Sequence, residues 1–198
     1  MARSYTMTAG GLIGLARTIL GDTRTDVGLR NSDAVLLGSL NEALSAMVAL
    51  VPGMFPAQAS FSCVHGYLQE IQTERAAVFQ EVMGLPEADA ATVTQFEPGW
   101  ITGPAGQPEN WMRVPGDPLR FMVYPPAAVG SSLVVRFAQA PLALTSLGDV
   151  LPIPEHFGPS IVEYIVARAE LNDDEHVNSG RAAALLERFA SSVRALGV

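Results

Sequence analysis

Apolar residues recur at helical spacing at both ends of the chain and at alternate positions in its middle. Near the start, Leu12, Ile13, Ala16, Ile19 and Leu20 mark one face of a helix from Ala9 to Leu20. Thr8 is its expected cap, and Gly21-Asp22 ends it. Ser32 caps a stronger helix reaching about Val51, with Leu36, Leu37, Leu40, Leu44, Met47, Val48 and Val51 facing inward and Pro52-Gly53 as the stop. The last quarter, from Pro154 to Val198, organises the rest. Ile161, Val162, Ile165, Val166 and Ala169 line one helix, with Pro159 in its first turn, where a missing N–H costs little. After the polar corner Asn172-Asp173-Asp174-Glu175, a second stripe runs through Ala182, Leu185, Leu186, Phe189, Val193 and Leu196 to Gly197. Two amphipathic helices joined so tightly are expected to lie antiparallel and to need a further apolar surface.

The middle has a different period. Ala59, Phe61 and Cys63 alternate with polar residues, which predicts a half-buried strand. His65-Gly66 reads as a turn, with 67–72 pairing back as a hairpin. Residues 75–84 are ambiguous: Ala76, Phe79, Val82 and Met83 fit a helix, and a strand is the alternative. A Pro/Gly-rich stretch over 97–118 holds Trp100 and Trp111. The clearest strands are 119–124 and 133–138, the first ended by Tyr124-Pro125-Pro126 because proline cannot donate to a ladder. Helices at both ends and strands between them give an α+β fold: a four-helix bundle of two N-terminal and two C-terminal helices, with an inserted antiparallel β-region. The expected organisation is one domain over 1–198, with N-terminal helices in 8–52, the β-rich insertion in 57–140 and the C-terminal helical pair in 155–197.

Charge narrows the function classes. The formal net charge of −8 argues against a module that grips nucleic acid through its backbone, which needs a basic face. It does not exclude a protein past which nucleic acid slides. Asn41 and Glu42 interrupt the longest apolar run, so no membrane span is expected, and Arg17 cuts the N-terminal run that would otherwise suggest a signal peptide. Gly10, Gly11 and Gly14 each weaken the first helix by up to about 1 kcal/mol relative to alanine. They mark a close helix contact or a frayed start.

The candidate chemistry is sparse. On a strand Cys63 and His65 would point the same way, making a thiol–imidazole pair conceivable, but no carboxylate nearby would orient the imidazole. As the single cysteine, Cys63 also leaves neither a disulfide nor a zinc spacing. Asp22, Asp26, Asp173, Asp174 and Glu175 match no calcium loop and are better read as caps and solvated corners. Gly10-Gly11-x-x-Gly14 lacks the strand and lysine of a phosphate loop, and His156 and His176 carry no specific signal. No catalytic residue, metal site or cofactor is expected. Trp100 and Trp111 either pin their long segment to the sheet or anchor a partner, and both readings can hold together. Arg194, Leu196 and Val198, at the tail, are the other candidate interface residues.

A set of short motifs carries the reading further. They are Leu15-Ala16-Arg17-x-Ile19-Leu20-x-Asp22, Ser32-Asp33-Ala34-x-Leu36-Leu37 and Leu40-Asn41-Glu42-Ala43, then Cys63-Val64-x-Gly66 and Phe121-x-Val123-Tyr124-Pro125-Pro126. The series ends with Glu163-Tyr164-x-x-x-Arg168-Ala169, leading through Asn172-Asp173-Asp174-Glu175 to Arg181-Ala182. In this order the chain resembles the head–tail adaptor (connector) proteins of tailed bacteriophages, particularly short-tailed ones. The resemblance implies a virion structural protein and no enzyme. It implies a ring, usually of twelve copies, that sits under the portal protein, extends the DNA channel and docks a tail or nozzle protein. Genomic DNA would pass without specific binding, and no membrane would be involved. The expected location is the virion neck, with the host cytoplasm during assembly. The family pattern has a turn and strand where 73–85 leans helical here. Another neck or tail-completion ring protein, or a non-viral interaction domain, is the alternative.

Overall fold

The computed structural model describes residues 6–24, 28–172 and 179–197. Five helices occur among the described residues: α1 (Ala9–Leu20), α2 (Asp33–Leu50), α3 (Ala90–Phe96), α4 (Gly158–Leu171) and α5 (Ser179–Leu196). Six strands accompany them: β1 (Pro56–Ser62), β2 (Gly66–Glu70), β3 (Ala76–Val82), β4 (Asn110–Arg113), β5 (Arg120–Ala127) and β6 (Ser132–Gln139). The fold is mixed α+β and forms two compact units. A helical unit combines Met1–Val51 with Pro141–Val198, and a β-unit spans Pro52–Ala140.

In the helical unit local sequence sets the ends of the first two helices. The Thr8 hydroxyl accepts from the Gly11 N–H at 3.2 Å, Gly21 closes α1 in the left-handed conformation, and the Ser32 hydroxyl accepts from Val35 N–H at 3.3 Å. α4 is the hub. It packs against α1, α2 and α5, and Ile161, Val162, Ile165, Val166, Ala167 and Ala169 are all buried. Two ion pairs fix the direction of α5. Glu163 meets Arg188 at 2.6 Å and Glu170 meets Arg181 at 2.9 Å, so advancing along α4 means retreating along α5 and the two helices run antiparallel.

Two glycines permit close backbone approach. A Cβ on Gly10 would lie 3.0 Å from the Leu147 carbonyl oxygen, which accepts the Gly10 N–H at 2.7 Å. This is the close contact implied by the glycines of α1, although the neighbour is the 141–153 segment and Gly14 faces open space. A Cβ on Gly197 would come within 2.5 Å of a Val51 methyl carbon. The 141–157 segment also delivers Leu151, Ile153 and Phe157 to the core, and Asn41 holds both backbone groups of Leu144 at 2.9 and 2.8 Å.

By length and apolarity alone α2 would suffice to cross a membrane. Its Leu36, Leu40, Leu44 and Met47 are instead buried, and Glu42 lies 2.7 Å from Arg168 on α4. This is a core helix.

The β-unit holds two three-stranded antiparallel sheets, ordered β1-β6-β3 and β2-β5-β4. They share an aromatic core in which Phe79 of one sheet stacks on Phe121 of the other at 4.6 Å, with Trp111 edge-on to Phe79 at 5.1 Å.

Two expectations change here, and two open readings are resolved. The hairpin between the first two strands does not form: β1 pairs with β6, β2 pairs with β5, and the chain changes sheet at Cys63–His65. Fully buried Gln69 makes this possible. Its carboxamide takes the Val64 N–H at 2.9 Å and donates to the Val64 and Gly66 carbonyls at 3.0 and 2.8 Å, satisfying a corner that no strand pairs. Residues 76–82 are a strand, not a helix. Register shifts at Ala76/Val78 and Phe79/Glu81 put Phe79 and Val82 on the buried side three apart, which imitates a helical repeat. The strand expected to stop at Tyr124 continues through both prolines to Ala127. The β4 pairing ends at Tyr124 and the β2 pairing skips from Met122 to Ala127, so neither neighbour requires a proline N–H. Finally, the Pro/Gly-rich 97–118 stretch contains a short 3₁₀ turn at Trp100–Thr102 and strand β4, and is preceded by α3.

Candidate interaction surfaces

Many of the motif residues prove to be polar links within the helical unit. Arg17, on α1, is buried and donates to Asp22 and Asp33 at 2.7 Å each and to the Asn31 carbonyl at 2.8 Å. Asp22 in turn accepts the backbone N–H groups of Arg30 and Asn31 at 2.7 and 3.0 Å. Burial alone would raise the Asp22 carboxyl. The two backbone donors, the Asn31 side chain and the Arg17 guanidinium outweigh it and hold the group below its ordinary value. Asp22 is thus a structural anchor for the loop after α1. Asp26, Asp173, Asp174, Glu175 and His176 lie outside the described residues, and among those described no cluster of metal-ligating side chains occurs.

Cys63 and His65 do not form a reactive pair. Neither belongs to a strand, so the alternation that would align them is absent. Cys63 is buried, which pushes its thiol up and disfavours the thiolate, whereas His65 is exposed.

Both tryptophans are turned inward. Trp100 is 2% exposed, donates to the Thr94 hydroxyl at 3.0 Å and meets Tyr67 and Tyr124 edge-on. Trp111 is 3% exposed and donates to the Leu85 carbonyl at 3.1 Å. They pin their segment to the β-unit, and in this conformation neither ring is available to a partner. At the tail the reverse holds: Arg194 and Leu196 are exposed on the last turn of α5, while Val198 lies outside the described residues.

One surface was missed. Leu15 and Ile19 on α1 are 58% and 53% exposed, although Ile19 fits the buried stripe by spacing. They border a groove of about 860 Å³ between α1 and the start of α4, whose lining includes Met7, Leu12, Pro159 and Val162. Glu155 and Glu163 stand at its edge. The available signal was Leu15, an apolar residue outside the stripe that α1 needs for its own core.

Comparison with known proteins agrees with the motif series. No curated protein matches the chain. Among solved structures there is a likeness to a chain titled "Neck of empty GTA particle computed with C6 symmetry", at 17% identity over 96% of this chain and 95% of that one. Its TM-score of 0.32 is too low to bear on fold or function. The family model for the SU10 adaptor protein matches residues 7–197, nearly the whole chain, and the protein therefore belongs to the SU10 adaptor protein family.

Proposed function

We propose that this chain is a virion structural protein: a head–tail adaptor whose copies form a ring under the portal, extend the DNA channel and dock the tail. The observation that carries this reading is the family match across 7–197. The acidic balance supports it, because a lumen without excess positive charge does not hold DNA phosphates in passage. In this reading the ring has twelve copies, the partners are the portal and a tail or nozzle protein, and DNA passes without specific binding. The protein sits in the neck of the virion and in the host cytoplasm during assembly. The helices α1, α2, α4 and α5 act as one bundle, and no residue serves catalysis. The exposed end of α5, with Arg194 and Leu196, is a contact element.

Electron microscopy of particles carrying a labelled copy of the chain tests this directly. A ring between portal and tail upholds the reading, and absence of the label from the particle overturns it. Cross-linking to the portal separates an adaptor from another ring of the neck.

A further inference from the structure

The groove beside α1 and the exposed end of α5 are complementary in two respects. The first is apolar surface. Leu15 and Ile19 leave the groove wall open to solvent, while Leu196, 45% exposed, stands on the last turn of α5 beside Arg194 and Ala195. The second is charge. Glu155 at the groove has the Thr6 hydroxyl as its partner among the described residues, and Arg194 has no acidic partner among them.

Within one chain Leu15, Ile19 and Leu196 all stay exposed, so the two patches do not cover each other there. Surfaces that are unlike and separately placed make a heterologous contact, which repeats from copy to copy and closes into a ring if the rotation permits.

We infer that the groove between α1 and α4 of one copy receives the last turn of α5 from a second copy, with Leu196 against Leu15 and Ile19 and Arg194 facing Glu155. This inference rests on the ring reading above and names the subunit contact within it.

The test uses two variants of the full chain, Leu15→Asp and Leu196→Asp. Both positions are exposed, so each variant should melt as the wild type does. Native mass spectrometry at a concentration where the wild type associates should show self-association weakened by about thirtyfold or more in each, the loss of one interface anchor. An equimolar mixture should then form dimers and nothing larger. The intact groove of Leu196→Asp meets the intact α5 end of Leu15→Asp, and the other pair of patches is spoiled.

Association that survives either substitution, or a mixture that stays monomeric, overturns the pairing while a labelled ring in the particle still upholds the adaptor reading. A wild-type chain that remains monomeric at every concentration also overturns the self-pairing. Absence of the label from the particle is a separate result, and it removes the adaptor reading itself.

Discussion

The two units close their cores by different means. In the helical unit α4 is buried along most of its circumference, and ion pairs tie α2 and α5 to it: Arg168 to Glu42, Arg188 to Glu163 and Arg181 to Glu170. The β-unit relies on rings, with Phe79, Phe121, Phe61 and Trp111 in mutual contact. Its ion pairs, Arg113–Glu87, Arg120–Glu70 and Arg136–Glu81, like the three on α4, each have a substantially exposed partner, a setting in which a pair is worth about 0–1 kcal/mol, whereas Arg17–Asp22 in the helical unit is buried. The difference shows where each unit is vulnerable. The β-unit depends on the volume of its rings, and the helical unit adds to its apolar core the buried Arg17–Asp22 pair and the close approaches at Gly10 and Gly197.

The chain supplies its own reporters for separating the two. Its two tryptophans both lie in the β-unit, so their fluorescence follows that unit, while helical ellipticity follows mainly the other. The largest effect is expected from Phe121→Ala, which empties the centre of the ring cluster and should cost about 3–5 kcal/mol. Denaturant unfolding should show the fluorescence transition moving much more than the ellipticity. Equal shifts would mean that the two units unfold as one. Arg17→Ala should do the opposite, moving the ellipticity transition by about 3 kcal/mol. Removing one member of a buried pair strands the other, and Asp22 keeps part of its support through backbone donors.

Gly197→Ala probes the same unit more gently. The added methyl would meet Val51, whose branched side chain has little freedom to withdraw, and the cost should be about 1–3 kcal/mol in the helical transition alone. A melting temperature equal to that of the wild type would show that the last turn yields freely.

The smallest effect is on pH dependence. The Asp22 carboxyl lies below its ordinary value of 3.8 in the folded chain, so its contribution is complete above that value and is lost as pH falls through the lower, folded one. The helical transition should therefore weaken on acidification from about pH 5 to about pH 3. Asp22→Asn should flatten part of that slope. Asp149, also held low by the N–H groups of Thr145 and Ser146, retains the remainder. An unchanged slope in Asp22→Asn would remove Asp22 as the source.

The contrast between units also explains what was legible in the sequence. Helical spacing, Thr8 and Ser32 give α1 and α2 nearly to the residue, because caps and periodicity are local properties. In the β-unit the decisive facts are non-local. Nothing near β1 says that its partner is β6, and the Gln69 side chain that lets the chain change sheets looks like any surface glutamine. Bulges in β3 disguise a strand as a helix. Trp100 and Trp111 carry the same ambiguity, since an aromatic residue among prolines and glycines reads alike whether it faces inward or outward. The groove was partly legible in Leu15. Ile19 was not, because its spacing suits the core and only the placement of α4 leaves it uncovered.

The β-unit is also inserted between the two halves of the helical unit, and this sets an order on synthesis. α1 and α2 leave the ribosome first, yet the hub against which they bury Leu12, Ile13, Leu36 and Leu40 is made only after the whole β-unit. The β-unit, contiguous over Pro52–Ala140, has all its strands before α4 exists. The nascent chain thus completes its middle while its beginning waits with apolar faces uncovered, and translation of 158–171 is the step that ends that exposure.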